Sequence, residues 1–335
     1  MHDFLDMARD LSARHGTNSA AFQTVFKGIG RLTHAHSKAR LDVHNLEAVF
    51  AAFEMAGTLG RLGEYSRDEI RALVAALRDV IQVTLDESIQ LPVRDRSVLA
   101  PPPYPDFVKL ISEMEDSRTS RNTTSIITFN YDMAVDYALH NAGRAVDYAL
   151  EAQERPGGLP LLKLHGSLNW ALCASCRRVV PYTMQRYFSR YSWLDLEGAK
   201  QVRVSVGQHI KEFKHCDVLP EVAPVLVPPT WNKTAFHEDL GAVWRRAAEE
   251  LSHAEAIYVI GYSLPSSDAF FRYLYALGTV GDSMLRRIWV FNPDRSEEIE
   301  ARYRAMLGPA AEERFRYVPV EFKDAVGHIR AQPFA

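Results

Sequence analysis

The sequence predicts an α/β protein built on a doubly wound parallel sheet, with a helical N-terminal part and a small cysteine-containing inserted module. Three observations predict it. Ser125–Phe129, Ala256–Ile260 and Arg287–Phe291 are short runs rich in β-branched and apolar residues, each followed by a helical pattern, as buried parallel strands are. The first 120 residues show apolar spacing of helical period and no such run. Between Leu172 and Pro229 regular patterning stops around Cys173-x-x-Cys176 and an aromatic-rich Tyr182–Trp193 stretch.

Taken in order, Phe4, Ala8 and Leu11 share one face of a helix over Asp3–Arg14. Thr17–Arg40 has too few periodic apolar residues to assign, and Gly28 and Gly30 within it read as a loop. Asn45–Leu59 is a helix by Leu46, Val49, Phe50 and Phe53. Ser66 and Glu69 form a capping box ahead of Ile70, Leu73, Leu77 and Val80. Pro101, Pro102, Pro103 and Pro105 break the pattern before an amphipathic Phe107–Met114. The strand Ser125–Phe129 leads into a helix over Met133–His140, and Leu161–Leu164 is a fourth strand. The expected organisation is one domain over 1–335: a helical part over 1–120, a core over 121–170 and 232–335, and the module over 171–231.

With 39 Lys+Arg against 42 Asp+Glu and no basic cluster, nothing calls for nucleic acid or an anionic membrane as partner. No apolar run approaches the length of a membrane span and the first residues are too acidic for a signal peptide, so a cytoplasmic location is expected. Three cysteines, two of them in a Cys-x-x-Cys, argue against a secreted disulfide framework and for metal or redox chemistry.

In an open α/β sheet, ligands bind at the carboxyl ends of the strands. The first strand ends in Thr128-Phe129-Asn130-Tyr131-Asp132, where an amide and a carboxylate could bond sugar hydroxyls, or Asn130 could instead cap the following helix. Another ends in Leu164-His165-Gly166-Ser167-Leu168-Asn169-Trp170. There His165 could accept a proton near neutrality or be a structural histidine, and Gly166 permits close approach of a chain or ligand. Gly261-Tyr262-Ser263-Leu264 suits close passage of a phosphate or ribose, and Asn292 in Asn292-Pro293-Asp294 could reach another hydroxyl.

These motifs, in this order and joined by Cys173-x-x-Cys176 and Val227-Pro228-Pro229-Thr230-Trp231-Asn232-Lys233, resemble the sirtuin-like domain of bacteria, in its divergent branch. The resemblance spans about residues 120 to 295 and implies a Rossmann-like core. It also implies NAD as substrate, bound by Thr128, Asn130, Asp132, Gly261, Ser263 and Asn292, with Asn130, Asp132 and His165 as the catalytic set. Members of this branch look like NAD glycohydrolases of antiphage defence, so the expected activity is cleavage of the nicotinamide–ribose bond. An NAD-dependent protein deacylase and an inactive NAD or ADP-ribose binding module are the alternatives. A defence-system protein or a second copy of the chain is the expected protein partner.

Two departures from the family pattern carry expectations. The family opens with a strand and a glycine-rich phosphate loop, which are missing here, so the chain is expected to be truncated at its start. The family's zinc site normally has two Cys-x-x-Cys pairs, whereas here Cys173 and Cys176 are matched only by Cys216. His209 or His215 would supply a fourth ligand, and a vestigial module without metal is the alternative.

Overall fold

The structure, a computed structural model, describes residues 2–14, 19–35, 41–117, 124–150, 158–190, 197–227, 234–265, 269–280 and 284–332. It divides into two compact units: Met1–Leu91 with His165–Thr183 and Gln201–Ala235, and Pro92–Leu164 with Met184–Lys200 and Phe236–Ala335. Among the described residues, no helix is long and apolar enough to cross a membrane.

The first unit is built on four helices, His2–Arg14, Ser19–Ala35, Leu46–Leu59 and Arg67–Ser88, around a core that includes Leu5, Phe22, Val25, Phe50, Phe53, Ile70, Leu73 and Val80. The Leu46–Leu59 helix starts where the Asn45 side chain accepts from the amides of Glu47 and Ala48, and stops at Gly60 in the left-handed region. The capping box ahead of Arg67–Ser88 is complete: the Glu69 amide donates to Ser66 Oγ (3.3 Å) and the Ser66 amide to the Glu69 carboxylate (2.8 Å). Those bonds hold the Glu69 carboxyl below its ordinary value.

The loop expected at Gly28 and Gly30 is instead part of the Ser19–Ala35 helix. A Cβ on Gly28 would lie 2.6 Å from Leu73 and 2.8 Å from Phe53, so glycine lets this helix sit against its two neighbours. A contact between helices distant in sequence has overridden a local breaker signal. The unit also contains a three-stranded antiparallel sheet. In it Trp170–Cys173 lies between Val179–Pro181 and Pro220–Val222, with Leu172 opposite Val179 and Cys173 opposite Pro220.

The second unit holds two three-stranded parallel sheets. In one, Leu159–Lys163 lies between Ile126–Thr128 and the two-residue strand Val146–Asp147, with Thr128 opposite Lys163. In the other, Arg287–Phe291 lies between Ala256–Ile260 and Phe315–Val318. Every residue of Leu159–Lys163 is buried, whereas Ile126–Thr128 and Ala256–Ile260 are half-buried throughout. Among the described residues, no strand pairs with the outer edge of either of these two.

Helices Tyr104–Asp116 and Phe322–Arg330 cover the second sheet, packing Leu110, Met114, Val326 and Ile329 against Trp289, Phe291 and Val318. Pro105 lies in the first turn of Tyr104–Asp116 rather than before the helix, a position where its missing N–H costs nothing.

Candidate functional site

The turn after Ile126–Thr128 is built from its own side chains. Thr128 Oγ1 accepts from the Asn130 amide (3.1 Å), and Asp132 Oδ1 accepts from the Ala134 amide (2.9 Å) at the start of helix Ala134–Asn141. The side-chain bond to the start of this helix is therefore made by Asp132, one residue before the N-cap Met133, and not by Asn130, the capping alternative, which is exposed. Burial first, and then the Asp132 carboxylate, push the Tyr104 hydroxyl above its ordinary value.

The turn after Ala256–Ile260 lies in the same unit. Gly261 has φ 75° with open space where a Cβ would be, and its amide donates to the Phe291 carbonyl (2.8 Å). Buried Leu264 follows in the left-handed region at φ 48°. Two residues of helix Glu298–Arg304 hold this backbone: Arg302 donates to the Ser263 carbonyl (3.2 Å) and Tyr303 Oη to the Tyr262 carbonyl (2.9 Å). Both carbonyls are thereby fixed, which keeps the strained Leu264 in place.

Aromatic residues tie the two turns together. Phe129 and Tyr262 stack with centroids 4.4 Å apart, and Phe271 stands edge-on to both at 5.4 and 5.3 Å. Sequence reasoning missed this cluster. Phe129 and Tyr262 each lie inside a motif quoted above, but nothing in the spacing of two segments so far apart says that their rings meet.

Asn292 ends Arg287–Phe291 and is buried; its side-chain oxygen accepts from the Asp294 amide (3.0 Å) and its own amide donates to Val318 (3.2 Å). Its oxygen thus shapes the turn, so a ligand contact would fall to Nδ2. The Asp294 carboxyl lies below its ordinary value because Ser296 donates to it from hydroxyl and amide.

His165 opens a segment of the first unit and is buried, with its carbonyl accepting from Val227 (2.8 Å). The close approach expected at Gly166 is made by the chain itself. At φ 85°, a Cβ there would lie 2.1 Å from the Val225 carbonyl oxygen, because Gly166–Ser167 pairs antiparallel with Val225–Leu226. Thr128, Asn130, Asp132, Gly261, Ser263 and Asn292 all belong to the second unit. Of the Val227–Lys233 motif, residues 228–233 lie outside the described residues.

A separate cluster forms in the first unit. Ligand atoms of Cys173, Cys176, His215 and Cys216 all lie within 4.8 Å of one another. The turn after Trp170–Cys173 supplies the first two. The turn closed by mutual backbone bonds between His215 and Val218 supplies the others, and the pairing of Cys173 with Pro220 brings the turns together. His215 Nδ1 is 3.5 Å from Cys176 Sγ and 3.4 Å from Cys216 Sγ.

His209 is outside this group, with its Nδ1 2.6 Å from the Ser205 carbonyl one helical turn earlier. Adjacency of His215 and Cys216 does not prevent convergence, because Cys216 and Asp217 take φ 50° and 59° and fold the turn back on itself. The Cys176 amide pulls the Cys173 thiol down to about 6, while desolvation and the neighbouring thiols push Cys216 up to about 11. Three thiols and an imidazole in this spacing fit the donor set of a closed tetrahedral zinc site.

Residues 124–219 match the family model described as SIR2-like domain. No curated protein matches the chain. Among solved structures, one described as "Structural Basis for the Mechanism and Regulation of Sir2 Enzymes" is 16% identical, covering 78% of this chain and 75% of that one, with a TM-score of 0.40. Another, described as "Sir2-p53 peptide-NAD+", is 16% identical over 68% of this chain and 67% of that one, with a TM-score of 0.33. The matched segment contains the Asn130–Asp132 turn, His165 and the whole cysteine cluster, so over residues 124–219 the chain is similar to the SIR2-like domain, as the resemblance of those motifs implies; Gly261, Ser263 and Asn292 lie outside the match.

Proposed function

We propose that this protein is an NAD glycohydrolase, cleaving the nicotinamide–ribose bond to release nicotinamide and ADP-ribose. The observation that carries the reading is the Asn130–Asp132 turn of the SIR2-like segment. It sits at the carboxyl end of a parallel strand, presents Asn130 to solvent, and is tied to the Gly261–Leu264 turn through Phe129 and Tyr262.

Loss of nicotinamide leaves the ribose with oxocarbenium character, and catalysis then lies in orienting the sugar and stabilising the developing positive charge. Asn130 can donate to one ribose hydroxyl and accept from another. Asp132 Oδ1 is engaged by Ala134, so Oδ2 is the atom that faces the growing charge or holds the attacking water. His165 takes the role of proton acceptor that the resemblance assigns to it. Gly261, Ser263 and the Asn292 amide hold the adenosine half. Zinc, when bound by Cys173, Cys176, His215 and Cys216, supplies a cross-link between two turns and no chemistry. The divergent-branch resemblance supports NAD depletion in antiphage defence as the setting.

Chromatography of NAD incubated with the protein, with and without an acetyl-lysine peptide, tests the reading. Nicotinamide and ADP-ribose in equal amounts without peptide are expected. Product formation only with peptide would make it a deacylase, and NAD binding without turnover a binding module. Neither binding nor turnover would remove NAD from the account altogether. For the setting, cells expressing the protein should lose NAD on phage infection, and cells expressing Asn130→Ala should not.

A further inference from the structure

Lys163 is the last residue of an otherwise apolar strand, Leu-Pro-Leu-Leu-Lys, and is buried with 1% of its surface exposed. An ammonium in such a place is unfavourable unless its partners are well placed. It has them. Nζ donates to the Asp132 carbonyl at 2.6 Å, pairs with the equally buried Asp136 carboxylate at 2.8 Å, and lies 3.7 Å from Met133 Sδ. Tyr148 Oη donates to the other oxygen of Asp136. All these residues belong to the second unit.

The turn is thus gripped at Asp132 twice. The side chain is held from the helix by the Ala134 amide, and the carbonyl is held from the neighbouring strand by Lys163. The two strands are in register with Thr128 opposite Lys163, so the lysine reaches across the end of the strand to the turn that follows it. A hydrophobic residue at 163 would fill the space but leave the Asp132 carbonyl without this donor. An ion pair serving stability alone would need Asp136 and not the carbonyl.

We propose that Lys163 is a positioning residue, which fixes the Asn130–Asp132 turn in the conformation that meets the nicotinamide ribose, with Asp136 and Tyr148 holding its ammonium in place. This deepens the NAD-cleaving reading above and rests on it for what the turn meets.

The test is the double variant K163M/D136N, which removes both buried charges at nearly constant shape and keeps an acceptor for Tyr148. Removing both partners avoids the stranded charge that either single change would leave. Three quantities are measured: melting temperature, amide hydrogen exchange of peptides spanning residues 129–134, and kcat and KM for NAD cleavage. The expected result is a melting temperature near that of the wild type, exchange in the turn faster by about tenfold or more, and kcat lower by about tenfold or more. A folded double variant whose turn exchanges at the wild-type rate overturns the proposal.

If the double variant does not fold, K163R keeps the charge and the pair but moves the donor. It is expected to show the same two changes at a wild-type melting temperature, and wild-type values of both would again overturn the proposal. Should wild-type protein leave NAD intact, the functional reading fails by itself, and the exchange measurement still decides whether Lys163 holds the turn.

Discussion

Asn130 and Asp132 stand two residues apart in one turn, yet their substitutions should behave differently. Asn130 is exposed and outside the helix cap, so Asn130→Ala should lower NAD turnover by about 100-fold or more while leaving the melting temperature nearly unchanged. Asp132→Ala should lose turnover and, because it also removes the bond to the Ala134 amide, about 1 kcal/mol of stability, read by chemical denaturation. Equal stability of the two variants would show that the cap contributes nothing. Gly166→Ala is the severe case: a Cβ 2.1 Å from the Val225 carbonyl at φ 85° should cost about 3 kcal/mol or prevent folding. At this scale much was legible in the sequence, since residue type and the end of a strand identify Asn130, Asp132 and His165 as candidates. What Asp132 holds, what Lys163 grips and which histidine joins the cysteines depend on backbone geometry. The choice between His209 and His215 stayed open because the left-handed residues that fold the second turn back cannot be foreseen from the sequence.

At the scale of elements, the short helix Val206–His209 begins against a buried carboxylate of the long helix Arg67–Ser88. Asp86 accepts from the amides of Gly207 (3.2 Å) and Gln208 (2.9 Å), and the packing is close enough that a Cβ on Gly207 would lie 2.9 Å from it. Burial outweighs those amides and raises the Asp86 carboxyl from 3.8 to about 7. With the folded value above the unfolded one, the folded state binds the extra proton between these values. Asp86 therefore weakens the fold progressively as pH rises from about 4 to about 7, on the order of 4 kcal/mol in all. Asp86→Asn should remove that slope, so the difference in unfolding free energy between variant and wild type should move in the variant's favour from pH 4 to 7 and level off above it. A difference independent of pH would show that the carboxyl is not raised. Helices announced by capping residues and apolar period were legible in the sequence, and the start of Arg67–Ser88 was readable to the residue, whereas its end was not, because the helix runs on to Ser88 past the last periodic apolar residues. The Ser19–Ala35 helix was not, because Gly28 reports a close contact with Phe53 and Leu73 rather than a chain break. Nor was Phe315–Val318, where Arg316 lies over Trp289 and Tyr317 bonds the Asp294 carbonyl, so charged and polar residues occupy a paired strand.

Over the whole molecule, the cysteine cluster joins two turns that the Trp170–Cys173 and Pro220–Val222 pairing and the Arg177–Glu221 ion pair also hold together. One zinc per chain by elemental analysis is expected, and chelation should lower the melting temperature. Cys216→Ser should reduce zinc retention by about 10-fold or more, and His209→Ala should leave it unchanged. Full zinc in Cys216→Ser, or none in the wild type, would remove the metal from this cluster. The alternation of strand and helix made the α/β class readable from the sequence, whereas the partition into two three-stranded parallel sheets was not, because strand order depends on contacts between distant segments. Those sheets have a practical corollary. Ile126–Thr128 and Ala256–Ile260 each have one edge that no strand pairs among the described residues, and the second reads Ala-Ile-Tyr-Val-Ile with no charge and no proline to blunt it. Self-association at high concentration is expected to start at these edges, read by light scattering, and a signal that stays flat with concentration would show that both edges are covered.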